Sequence, residues 1–154
     1  MQQHTQDQPS LRPHRRVAAF VLAAAAAAVA GLATACAATP PVADDDAVRD
    51  TVRSYYQARN DGDLDAMLAL SCDDIYSATL RLQQSAPGER AATLEAMRAA
   101  PVTITTVDLS GRTRTEVRVQ TTGTVTVAGK TETGTQVGLV KLYQDHPRVC
   151  RLDG

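Results

Sequence analysis

Ala47-Val48-Arg49-Asp50-Thr51-Val52-Arg53-Ser54-Tyr55-Tyr56-Gln57-Ala58-Arg59-Asn60-Asp61-Gly62-Asp63-Leu64-Asp65-Ala66-Met67-Leu68-Ala69-Leu70 is the stretch from which the rest of the chain can be read. Val48, Val52, Tyr55 and Tyr56 recur at i, i+4, i+7 and i+8, which draws one apolar stripe along a helix. Asp44, Asp45 and Asp46 stand at the positive N-terminal end of that helix, where carboxylates are favoured. Asn60-Asp61-Gly62 ends it, because Gly62 takes the left-handed position after the last turn without a Cβ penalty. Asp63 caps a second helix carrying Leu64, Met67, Leu68 and Leu70, so two helices meet at a short corner.

Downstream, residues 77 to 100 are good helix formers (Leu80, Leu82, Gln83, Gln84, Leu94, Met97) interrupted by Pro87-Gly88, which predicts two short helices joined by a turn. After Pro101 the period changes to two. Val102/Ile104, Val117/Val119, Val125/Val127 and Val137/Leu139 alternate with Thr, Arg and Glu, and the breaks fall at Ser110-Gly111, Ala128-Gly129 and Asp145-His146-Pro147. That pattern predicts about four antiparallel strands. Helices first and a meander afterwards make an α+β arrangement, with the N-terminal helices covering one sheet face.

Upstream, Ala37 to Asp46 contains Thr39, Pro40, Pro41 and the three aspartates, a composition that reads as a tether. Before it, residues 17 to 35 are nineteen uncharged residues, eleven of them alanine, preceded by His14-Arg15-Arg16 and closed by Ala33-Thr34-Ala35. A cationic start, an apolar run and a small-residue end are the parts of a signal peptide, expected over residues 1–35. An uncleaved membrane helix is the alternative, since the run just reaches spanning length. Both place the downstream domain outside the cytoplasm, because the arginines stay inside. Leu32-Ala33-Thr34-Ala35-Cys36 resembles the bacterial lipobox. That resemblance implies a lipidated Cys36 as the mature N-terminus, residues 36–45 as anchor and tether, and residues 46–154 as the domain; plain cleavage after the A-x-A site is the other reading.

The leader inflates the 44% apolar content of the 154-residue chain. Without residues 1–35 the chain carries thirteen Lys/Arg against sixteen Asp/Glu, and its aromatics are Tyr55, Tyr56, Tyr76 and Tyr143. An acidic chain with four aromatics lacks the cationic excess and the stacking platforms of a nucleic-acid module. With Cys36 assigned to lipid, Cys72 and Cys150 remain, and an exported chain with one such pair most simply oxidises it. A metal or redox site would need a CxxC or partnering histidines, and His146 is the only histidine after the leader. No cofactor and no metal are expected.

Val52 to Met67, followed by Asp73-Asp74, resembles the opening of the NTF2-like (SnoaL/ketosteroid-isomerase-like) superfamily. The cysteine after helix two and the Val149-Cys150 pair resemble, more narrowly, the DUF4878-type lipoproteins of high-GC Gram-positive bacteria. The family often has a tryptophan three residues before the final cysteine, where this chain has Pro147, which puts the final hairpin in question. The resemblance implies a cone of helices on a curved antiparallel sheet, whose interior is a ligand pocket, an active site or plain core. Tyr55, Val119 and Leu139 are the expected pocket residues. Steroid-isomerase-like members use a tyrosine where this chain has Tyr55, and an aspartate base where the count from Asp73 reaches Thr79, which cannot abstract a proton near neutral pH.

Asp73-Asp74 reads as a solvated helix end whose adjacent side chains point apart, and Ser71 has no histidine partner. Arg112, Arg114 and Arg118 are read either as an anion-binding strand face or as a solvent face. No catalytic residue is assigned. The expectation is an exported, membrane-anchored lipoprotein whose non-catalytic domain binds a small apolar ligand or a protein partner in the cell envelope, with a homodimer through the open sheet face allowed. The alternative is a cone-fold isomerase or hydrolase.

Overall fold

Asp44 opens the first helix by accepting a hydrogen bond from the Ala47 amide at 2.7 Å, and the chain then follows the order read from the sequence. The computed structural model describes residues 43–153. The expected signal peptide, the expected lipidation site Cys36 and the expected tether up to residue 42 lie outside the described residues. Four helices, α1 (Asp45–Asp61), α2 (Leu64–Ala69), α3 (Asp73–Gln84) and α4 (Pro87–Ala99), precede four strands, β1 (Val102–Ser110), β2 (Glu116–Val127), β3 (Lys130–Leu142) and β4 (Pro147–Asp153). The strands form one antiparallel sheet in the order β1-β2-β3-β4. Among the described residues no helix is long and apolar enough to cross a membrane.

The α1–α2 corner closes as its residues dictate. Gly62 has φ 68°, its amide donates to the Arg59 carbonyl at 3.1 Å, and the Asp63 amide donates to the Ala58 carbonyl at 2.9 Å. These two bonds satisfy carbonyls that the end of a helix leaves free. Asp63 then caps α2 through the Ala66 amide. The helix after Cys72 starts at Asp73, four residues before the expected Ser77, and Pro87 occupies the first turn of α4, where its missing N–H costs nothing.

The α1 stripe lies over the sheet. Val48, Val52, Tyr55 and Tyr56 are buried together with Val107, Val117, Val119, Val140 and Val149. On β2 the inward residues are Val117, Val119, Thr121 and Gly123. Their partners on β3 are Val140, Gly138, Gln136 and Gly134. This corrects the expectation that Leu139 faces the pocket: Leu139 pairs with Arg118 on the outer face, and Val137, two residues before it on the same side, is 47% exposed. The physical reason is that three of the four inward positions of β3 are glycine or glutamine, so apolar alternation marks the wrong side of the strand.

Two glycines let the sheet bend. A Cβ on Gly123 would lie 2.7 Å from the Thr103 carbonyl oxygen, and one on Gly138 would lie 2.7 Å from that of Arg151. Each glycine sits beside a register shift, between Ile104 and Thr106 on β1 and between Leu139 and Val140 on β3. Such bulges sharpen strand bending and twist. The result is a curved sheet.

Cys72 and Cys150 are joined in a disulfide with Cα atoms 4.4 Å apart. Around it the corner before α3 adds to β4: the Val149 amide donates to the Leu70 carbonyl and the Cys72 amide to the Val149 carbonyl, each at 2.9 Å. Pro147 begins β4, buried and paired with Leu142, so the departure at that position leaves the final hairpin intact.

Candidate functional site

Toward the far ends of β1, β2 and β3 the space between α1 and the sheet is open. A cavity of about 330 Å³ is lined by Val102, Ile104, Val125 and Leu152, by Tyr55, Tyr56, Arg59 and Gln136, and by the backbone of Gly123 and Gly134. Gly123 and Gly134 pair across β2 and β3, and a side chain at Gly134 would meet nothing within 4 Å. Room for a ligand therefore comes from a side chain left out of the sheet. A second cavity of about 430 Å³ lies between the sheet end and α2 to α4, lined among others by Met67, Asp74, Ile75, Thr79, Leu82 and Met97. Tyr55 and Leu152 line both.

The two tyrosines meet edge to face, with ring centroids 5.7 Å apart, and their hydroxyls differ. Tyr56 donates to Gln136 Oε1 at 2.5 Å. Among the described residues no fully sealed side-chain nitrogen or oxygen lacks a hydrogen-bond partner, and Tyr55 Oη has no partner among them, so that hydroxyl opens onto the cavities. Burial, then the neighbouring Tyr56, push the Tyr55 hydroxyl up to about 12, while the nearby Arg59 cation pulls it back. Burial likewise raises Tyr56. Both phenols are neutral donors at physiological pH.

Thr79 stands with Tyr55 on the wall of the second cavity, and its hydroxyl donates back to the Ile75 carbonyl at 2.9 Å. A hydroxyl turned into its own helix supplies no base. Asp73 and Asp74 diverge: Asp73 takes Lys141 Nζ at 2.6 Å and holds that ammonium above its ordinary pKa, while Asp74 borders the second cavity. Ser71 is buried, with its hydroxyl directed at the Leu68 carbonyl. Among the described residues no hydrogen-bond or ion-pair partner of Ser71, Asp73 or Asp74 is a histidine.

Of the expected pocket residues, Tyr55 lines the cavity, Val119 is sealed in the core at 1% exposure, and Leu139 is on the opposite face of the sheet. The three arginines do not share a strand face. Arg112 and Arg114 lie in the β1–β2 connection, where Arg112 clamps Asp45 and the Ala43 carbonyl, and Arg118 is on the outer face. His146 touches the Ala69 carbonyl, Asp145 and Arg148. No cluster of three or more His, Cys, Asp or Glu side chains suited to a metal occurs among the described residues.

Tyr56, Arg59, Gln136 and Gly134 are cavity residues that the sequence pattern leaves unmarked. One signal was present. Thr122-Gly123-Thr124 and Thr133-Gly134-Thr135 repeat a Thr-Gly-Thr step in two adjacent strands, and a mid-strand glycine marks close approach or empty space.

No family model matches the chain, and no curated protein matches it significantly. Solved structures do. An NTF-2 like protein of unknown function from Shewanella oneidensis is 15% identical with a TM-score of 0.52, over 70% of this chain and 95% of that one. A designed NTF2 protein is 13% identical with a TM-score of 0.51, over 70% and 96% of the two chains. The helical cell shape determining protein Pgp2 from Campylobacter jejuni is 8% identical with a TM-score of 0.52, over 72% of this chain and 42% of that one. The chain has an NTF2-like fold.

Proposed function

We propose that the protein is an exported lipoprotein of the DUF4878 type, held to the outer face of the membrane through Cys36, whose NTF2-like domain carries a small apolar ligand without transforming it. The observation behind ligand carriage is the cavity of about 330 Å³ bounded by aliphatic side chains and a tyrosine hydroxyl with no hydrogen-bond partner among the described residues. Its size is at the lower end of the range of roughly 300–1,000 Å³ found for small-molecule sites. The observation against catalysis is Thr79: abstraction of a proton beside a carbonyl needs both a base and an oxyanion donor, and only Tyr55 is placed as donor. Lipid attachment is supported by the Leu32 to Cys36 sequence and by the acidic, proline-containing tether after it.

Membrane fractionation without detergent tests the anchor. Wild type should sediment with membranes and Cys36→Ala should be released; an anchored mutant means that residues 17–35 remain as a membrane helix. Native mass spectrometry tests the cargo. A low-mass adduct on the wild type that is lost in Gly134→Leu supports carriage, and bare protein under the gentlest conditions argues for a protein partner instead.

A further inference from the structure

We infer that the ligand of this cavity is a small carboxylate with an apolar body, its acid group held by Arg59 at the end of α1 and its body against Ile104, Val125 and Leu152. The inference rests on the carriage reading above and adds the charge of the cargo. Arg59 is half-buried and lines the cavity beside both tyrosines. Its position is felt by both phenols, each of which it pulls back toward ionisation.

The guanidinium is underused. Among the described residues Arg59 makes no salt bridge, a property it shares with Arg81, Arg90, Arg98, Arg114 and Arg118, but of these six it is Arg59 that lines this cavity. Only Nη1 donates, at 3.5 Å to Asn60 Oδ1 and at 3.4 Å to the Ala100 carbonyl, both long bonds. Nε and Nη2 donate to nothing among these residues, and those two atoms form one edge of the planar fork that binds a carboxylate through two parallel bonds. The Tyr55 hydroxyl adds a neutral donor that also lacks a partner among the described residues. A half-buried cation at an apolar cavity selects an anion, because a neutral ligand would cover the guanidinium without replacing its water. Arg59 also sits in the last turn of α1, where a cation meets the negative helix end. That role alone gives no preference between an acid and an alcohol.

Calorimetric titration of the full chain carrying Cys36→Ala with octanoate and with 1-octanol decides it. Octanoate should bind at least tenfold more tightly than the alcohol. In Arg59→Gln the preference should collapse through loss of octanoate affinity, with 1-octanol bound no more weakly than in wild type, so the alcohol also reports that the cavity is intact. Equal wild-type affinities overturn the inference and leave carriage standing. A preference that survives Arg59→Gln overturns it too, since another group then holds the acid. If neither compound binds, both this inference and the carriage reading fall. The wild-type ratio needs no variant, so a poorly folded Arg59→Gln does not spare the inference.

Discussion

The same two strands, β2 and β3, build a sealed end and an open end of one molecule. At the sealed end Val117 and Val119 face Val140 and Gly138, with Val48, Val52 and Val149 around them, and the Cys72–Cys150 bond staples the α3 entry to β4. At the open end the inward positions are Gly123, Val125, Gly134 and Gln136, and a cavity takes the place of side chains. Sheet pairing is continuous through both ends. Hydrogen bonding therefore sets the shape of the sheet, and the size of the inward side chains decides whether that shape encloses core or space.

The disulfide is the strongest test of the contrast. Cys72→Ala with Cys150→Ala should cost about 2–5 kcal/mol in denaturant unfolding, since a 78-residue separation is released. A loss below that range would mean that the sealed end is held by the Leu70–Val149–Cys72 backbone bonds alone. Next come the two glycines of β3. Gly138→Ala drives a methyl against the Arg151 carbonyl and should cost roughly 1–3 kcal/mol, whereas Gly134→Ala enters open space and should be neutral or stabilise by up to about 1 kcal/mol. Melts of the pair with matching losses would erase the distinction between the ends.

The tyrosines sharpen the boundary further. Tyr56→Phe removes the donor to Gln136 and should cost about 1 kcal/mol, while Tyr55→Phe, which breaks no hydrogen bond among the described residues, should cost less. The smallest effect is in pH. The folded state holds Tyr55 protonated up to about pH 12 against an ordinary 10, so its contribution is fully present below pH 10 and is lost as pH rises through 10 to 12. A melting temperature that falls over that window in wild type and falls less in Tyr55→Phe is the expected outcome; identical slopes would place the hydroxyl in water.

Much of the sealed end was legible in the sequence. The α1 stripe, the Gly62 corner, the capping aspartates and the cysteine pair each rest on local chemistry that survives folding unchanged. The strand breaks were legible for the same reason. The face of β3 was not, because Gly134, Gln136 and Gly138 hide the inward phase and Val137 and Leu139 advertise the outer one. The cavity was marked in the reading only by Tyr55, although the Thr-Gly-Thr steps at Gly123 and Gly134 also carry its signal. A void is made by what two distant strands omit, and that depends on the register between Gly123 and Gly134, which a period along one strand does not contain.

Whether the open end is a usable cavity is read directly by a titration with N-phenyl-1-naphthylamine, a neutral apolar fluorophore. Saturable fluorescence enhancement in wild type, abolished in a Gly134→Leu variant whose melting temperature is not lowered, is the predicted result, because a leucine there fills space that meets no atom within 4 Å of its Cβ. Equal enhancement in wild type and Gly134→Leu, or none in either, would contradict it.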